Sequence, residues 1–366
     1  VIKSNDHKTK IWNISKQAKE ILASDISLDY ITINQERYAI FSKDKIKIGD
    51  KIGGIDENTW GNVNYSQIGL GFKLIEKDDG IHFKPFKSRP SIHVFLPTQE
   101  KSPIPLLING AFHTRISRTH INVTSDANNY NGFLLEEAIK LLTGVVRDYV
   151  YNQTATTPRE YISCLNFNSL NQDNLSQLDK RIIDSLKKSL LDKSFIPGYF
   201  KNDHKSSLKT ISETILPYYS EENKEIAPAI IKLYGDKKIE IKSINKSGFF
   251  PNIDLLEPEY ASILKNIGVD IIKSEEVPLL LDKVADEDIS LIFPDSSKEL
   301  VKDPLLEIII SIWKLINGLE EKAKNFKRNV KKFSLFPVSN KNENYLKKIK
   351  KEKDLEFFFP PESITF

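Results

Sequence analysis

Methionine is missing altogether from these 366 residues, cysteine occurs once, at Cys164, and no run of eighteen apolar residues is present. Each absence excludes something. One cysteine cannot build an intramolecular disulfide framework and offers no thiolate cluster for zinc, which fits a reducing compartment. Without a long apolar run there is no candidate transmembrane helix, and the opening VIKSNDHKTKIWN lacks the apolar core of a secretory signal. The expectation is therefore a cytoplasmic protein with no membrane partner. A chain of this length without methionine, even at position 1, is expected to be a piece of a longer polypeptide, or one whose modified methionines are missing from the written sequence. The phosphate-loop pattern GxxxxGK followed by Ser or Thr, the dinucleotide pattern GxGxxG and the GxSxG nucleophile elbow do not occur either. No PD and ExK pair has convincing nuclease spacing.

What is present reads as folded protein. The 40% hydrophobic content can core two or three domains, and 53 Lys and Arg against 50 Asp and Glu leave only +3, so any attraction to nucleic acid must be local. Residues 11–23, with Ile14, Ala18, Ile21 and Leu22, predict a short helix. From 28 to 124 the chain reads as mainly strand, with a hairpin turn at Asp79-Gly80 and strands over 91–98 and 105–110. IGLGFK places Gly69 and Gly71 before Phe72, an echo of a nucleotide lid that a tight strand bend explains as well.

The period then changes. Leu134, Leu135, Ala138, Leu141, Leu142, Val145 and Val146 make a helical stripe, with Asn131 as the expected cap and Glu136 and Glu137 near the favourable end. Leu175, Leu178, Ile182, Leu186 and Leu190 predict a second helix, and Gly235 and Gly268 are expected to stop two more. A further helix is expected from LLEIIISIWKLINGLEEKAKNF. The chain is thus expected to be α+β: a mainly β region over 1–150 with a loop and a closing helix, a smaller α/β domain over 171–320, and a basic, aromatic-containing segment over 321–366.

Two stretches carry charge in a pattern that bears on function. PLLINGAFHTRISRTHINVT, residues 105–124, sets His113, Arg115, Arg118 and His120 after an apolar strand. The two histidines stand seven residues apart with no third ligand at metal spacing, so no metal site is expected. The arginines either line a reactive pocket or decorate the exit of a core strand. In the tail, Lys347, Lys348, Lys350, Lys351 and Lys353 stand near Phe357, Phe358 and Phe359. That run is either a solvated face or a weak, salt-sensitive nucleic-acid contact, and Glu352, Asp354 and Glu356 weaken the second reading.

The order FLPT, PLLINGAF, RISR and NNYNGFLLEEAI resembles the segment that follows the ATP-binding module in sacsin-like ATPases, relatives of the ninety-kilodalton heat-shock chaperones. The resemblance is dense over 91–142. The matching positions are Leu96, Pro97 and Thr98, then Asn109 and Phe112, then Ser117, Arg118 and Thr119, then Tyr130 and Asn131. Thr119 departs from the pattern, which has Glu there. The resemblance implies a mixed-sheet region like a chaperone middle domain, followed by a smaller α/β unit. It implies that Arg118 reaches the terminal phosphate of ATP, with Asn109, Gly110, Arg115 and Ser117 in the supporting loop. ATP and Mg would be held by a separate domain of the same longer protein, none being expected in this chain alone, which is then no enzyme by itself. A homodimer and a place in a prokaryotic antiviral defence system are further expectations. The competing reading is a non-catalytic module that contacts protein or nucleic acid.

Overall fold

A computed structural model of the protein describes residues 2–3, 9–10, 14–49, 64–78, 80–114, 120–121, 123, 129–152, 158–199, 207–217, 227–228, 231, 238–273, 276, 336–339 and 344–347. The protein is α+β, as the sequence predicts. It divides into two compact units, residues 1–195 with 262–268 and residues 196–261 with 269–366.

In the first unit a minor ladder pairs β1 (Ile2–Lys3) with β2 (Thr9–Lys10). An eight-stranded mixed sheet forms its centre. Strands β3 (Ile14–Ala23), β4 (Ile26–Ile33), β5 (Glu36–Lys47) and β6 (Tyr65–Lys77) follow one another antiparallel. Asn34 and Gln35 turn β4 into β5 with φ of 48° and 72°, the double left-handed geometry whose twist matches the flanking strands. β7 (Gly80–Lys84) folds back on one end of β6 with Lys77 opposite Gly80, so the turn lies one residue earlier than Asp79-Gly80. β10 (Leu107–Gly110) lies along the middle of β6, β8 (Ser91–Val94) runs parallel to β10, and β9 (Leu96–Lys101) forms the far edge.

Of the helix expected over 11–23, residues 11–13 lie outside the described residues and Ile14–Ala23 is a strand instead. Register-specific pairing with β4, from Ile14 opposite Ile33 to Ala23 opposite Ile26, overrides the weak helical pattern. Ile14 and Ile21, read as an inward face, are 66% and 73% exposed. The single strand expected over 91–98 is two strands, because the chain reverses at Phe95.

Alternation along β6 sends Ile68, Leu70, Phe72 and Leu74 inward. The glycines between them form no lid. Gly69 and Gly71 sit mid-strand, and a Cβ on Gly71 would meet Ile40 Cδ1 at 3.1 Å and Leu107 Cβ at 3.2 Å, from the two neighbouring strands.

Against the sheet lies α1 (Tyr130–Leu141), which continues through a π-helical turn, Leu142–Val146, into α2 (Arg147–Asn152); α3 (Pro158–Cys164) and α4 (Gln177–Leu190) complete the layer. Phe41, Phe72, Phe83 and Tyr149 stack edge to face or tilted, with Phe41 5.6 Å from Phe72 and 5.4 Å from Tyr149. Fully burying such a side chain stabilises by about 1.5–3 kcal/mol.

α4 belongs to the first unit and packs against α1. It starts with a full capping box, Ser176 with Asp179, and Asp179 also receives Arg89 at 2.6 Å. Arg89 binds the Ser102 and Lys101 carbonyls as well, so one guanidinium ties the end of β9 to the start of α4.

The second unit is built from short pairs: β11 (Ile196–Pro197) with β12 (Leu208–Lys209), β13 (Ile215–Leu216) with β16 (Asp270–Ile271), β14 (Ile239–Ile241) with β15 (Lys246–Gly248), and β17 (Phe336–Ser339) with β18 (Asn344–Lys347). α5 (Pro258–Ile267), whose residues 262–267 belong to the first unit, ends at Gly268, whose φ of 112° supplies the left-handed stop the sequence predicts. The helix expected over 305–326 lies outside the described residues. Among the described residues, no helix is long and apolar enough to cross a membrane.

Candidate functional site

The arginine-bearing stretch leaves the sheet at the end of β10 and returns to it at the start of α1, and both ends are fastened. Gly110 is buried and ordered in the strand, not a flexible hinge: a Cβ there would come 2.5 Å from Ile68 Cδ1 and 3.0 Å from Phe112 Cε2. Its φ does not call for a glycine; close packing against the ends of the Ile68 and Phe112 side chains favours one. Next, the Tyr130 hydroxyl donates to the Ala111 carbonyl at 2.9 Å and lies 2.8 Å from the Ser66 hydroxyl. The phenol has one proton to give, so Ser66 donates to it. Burial pushes the Tyr130 hydroxyl up, against the pull of Ser66, and it stays a neutral donor.

Asn131 is not the helix cap. Asn129 holds that place, extended at φ −70° and ψ 121°, its side chain accepting from Gly132 N at 2.9 Å. With the helix starting at Tyr130, Glu136 and Glu137 sit in its middle. That frees Asn131, 2% exposed, to clamp His113: its Oδ1 accepts the His113 N–H and its Nδ2 donates to the His113 carbonyl, each at 2.7 Å. One residue on, Thr114 and Ile121 form an antiparallel bridge. His120 beside it sets Nδ1 2.9 Å from Glu100 Oε1 on β9.

A loop of six residues, 115–120, is therefore closed at its base by the bridge, the Asn131 clamp and the His120–Glu100 contact. The sequence puts Arg115, Ser117, Arg118 and Thr119 in it. These four lie outside the described residues.

Asn109, half-buried, turns its Oδ1 to the Phe95 N–H at 3.2 Å. Its strand neighbour across the parallel ladder is His93, held below its ordinary pKa by burial and by Lys101. Thr98 is buried: its hydroxyl donates to the Ile92 carbonyl at 2.8 Å and accepts from Glu100 N at 3.2 Å, which sets the course of β9. No family model, curated protein or solved structure matches the chain.

Of the positions matched in the sequence, Gly110 lies against Phe112, Tyr130 reaches the Ala111 carbonyl and Asn131 reaches His113, whereas Asn109 turns to Phe95. Sequence reasoning misses Ser66, Glu100 and the reversal at Phe95, which join from other strands. Among the described residues, no three His, Cys, Asp or Glu side chains group to hold a metal ion. Cys164 is buried, and burial raises its thiol far above the usual range, so it is core filler. Of the tail lysines, Lys347 ends β18 opposite Phe336, while Lys348, Lys350, Lys351 and Lys353 lie outside the described residues.

Proposed function

We propose that the first unit is the transducer region of a sacsin-like ATPase, and that the 115–120 loop delivers Arg118 to the terminal phosphate of ATP held with Mg by a separate domain of the same longer protein. The observation that supports it is the fastening of both loop ends, at Thr114 with Ile121 and at His113 with Asn131. Phosphoryl transfer asks for placed positive charge, and a guanidinium with five donors in a rigid fork suits a developing γ-phosphate. A fixed base lets that charge arrive without the reorganisation an open loop would need. Arg115 has a secondary part, and Ser117 helps shape the loop. ATP binding would thereby couple to a conformational change, and a prokaryotic defence system is the setting we favour.

The test is Arg118→Ala in the longest natural protein that carries this chain, measured by steady-state ATP turnover and by nucleotide affinity. Turnover should fall by at least tenfold with affinity little changed, because the contact strengthens as charge develops. Arg115→Ala should cost less. Unchanged turnover in Arg118→Ala, or equal losses of stability in both variants, assigns the arginines to ordinary surface structure.

A further inference from the structure

Between α1 and α4 the first unit holds a groove lined by charges of both signs, and only some of them are paired. Next to its apolar stripe, α4 carries Arg181, Asp184, Ser185, Lys188 and Ser189 at three- and four-residue spacing, which turns them all toward this groove. The buried Ile139 of α1 lies at its floor, and Asp192 and Lys193 continue it past the end of α4. Its volume is about 530 Å³. Small-molecule sites run from about 300 to 1,000 Å³, so the space suits a compact ligand.

The charges nearest α1 are matched already. Glu136 takes Arg181 at 2.5 Å, and Glu137 takes Lys140 at 2.7 Å. Four others are not. Asp184, Lys188, Asp192 and Lys193 close no ion pair among the described residues, although the first three follow one another at the four-residue spacing that lets opposite charges on a helix meet.

The hydroxyls add a polarity. Thr143, in the π-helical turn, donates to the Ile139 carbonyl at 2.9 Å, so the proton in its 2.5 Å contact with Ser189 comes from Ser189. Ser189 Oγ then offers the groove lone pairs alone, and asks for a donor.

An ion of one sign would meet a repelling charge one helical turn from each attracting one. A molecule that carries both signs on neighbouring atoms meets neither difficulty. We propose that the α1–α4 groove binds a free α-amino acid with an apolar side chain. Its ammonium donates to Asp192 and Ser189, its carboxylate takes Lys188 and Lys193, and its side chain lies over Ile139 and the aliphatic stem of Lys140. The exposed Asp184 stays with water. This site is independent of the arginine loop and of the transducer reading.

The test is isothermal titration of the longest natural protein with L-leucine, beside isopentylamine and isocaproate, which keep its hydrocarbon chain and one charge each. Leucine should bind saturably at millimolar concentrations or below, and each analogue at least tenfold more weakly. Lys188→Gln and Asp192→Asn should each weaken leucine at least tenfold with the melting temperature unmoved, since both side chains are exposed. Lys180→Gln, on the same helix but outside the groove, should change nothing. The double variant Lys188→Asp with Asp192→Lys should bind leucine more tightly than either single variant, because the ligand can turn round. Absence of saturable leucine binding overturns the site. Binding of either analogue as tight as that of leucine overturns the need for both charges, and full leucine affinity in Lys188→Gln and Asp192→Asn overturns the placement.

Discussion

Replacing Asn131 by alanine removes two hydrogen bonds of 2.7 Å from a side chain that is 2% exposed, and strips both polar groups of His113 of that partner at once. Losing the partner of a buried backbone group costs about 1–3 kcal/mol, and His113 is half-buried, so the pair together should cost about 2–4 kcal/mol. For a unit of this size, each kcal/mol lowers the melting temperature by about 2–4 °C, which puts the expected fall at about 4–16 °C. Asn131→Asp should fare little better, because its carboxylate can still accept from the His113 N–H but sets a second oxygen against the His113 carbonyl.

The assay is thermal unfolding followed by circular dichroism, paired with amide hydrogen exchange at His113. The control is Asn129→Ala, which removes the helix cap at a cost of about 1 kcal/mol and leaves the clamp in place. The clamp reading requires that Asn131→Ala accelerates exchange at His113 and that Asn129→Ala does not. A His113 amide equally protected in all three proteins, with the melting temperature unmoved in Asn131→Ala, would refute the assignment of Asn131 to the loop base.

Gly110→Ala should destabilise by about 1–3 kcal/mol, because the new methyl would stand 2.5 Å from Ile68 Cδ1 within a packed layer; chemical denaturation measures it, and a neutral substitution would mean the layer yields freely. Glu137 offers a pH test: burial alone would raise its carboxyl, but hydrogen bonds from Lys140 and Lys43 hold it below its ordinary value. A depressed carboxyl stabilises the fold above the unfolded pKa, and that stabilisation is lost as pH falls through the folded value. Glu137→Gln should therefore lower stability by about 1–2 kcal/mol near neutrality and flatten the acid limb of the stability curve, and an unchanged acid limb would show that the pair contributes nothing.

Legibility followed the range of the interactions. The helix at 130–141 and its stripe of Leu134, Leu135, Ala138 and Leu141 are local in sequence and stand where the periodicity puts them. The stop at Gly268 is equally local. Residues 11–23 misled because strand β3 is set by its neighbour: seven cross-strand pairs with β4 decide it, and no window of thirteen residues contains them. Gly110 is legible as a special position, but its cause is not. A flexible hinge and a site too crowded for a Cβ leave the same letter in the sequence, and only the distance to Ile68 tells them apart.

The candidate site divides along the same line. Gly110, Tyr130 and Asn131 are close in sequence to the loop base they form, so their association is visible from order alone. Asn129 and Asn131 exchange roles because either asparagine can cap a helix. The difference is made by His113, eighteen residues before Asn131, which engages one of them and leaves the other to Gly132. Ser66 and Glu100 carry no local signal, since Ser66 reaches Tyr130 and Glu100 reaches His120 from strands whose neighbours are fixed by the sheet order β6-β10-β8-β9. That order explains why the loop base is contacted from several sides. β10 is held between β6 and β8, and its exit is then bound by Tyr130 and Asn131 from the helix and, through His120, by Glu100 from the edge strand. Three elements converge on the base of a six-residue loop. If the loop served only to connect a strand to a helix, relaxing any one of these restraints would cost stability and nothing else, so a loss of ATP turnover beyond the loss of folded protein in Asn131→Ala is the outcome that separates a presented arginine from a passive connection.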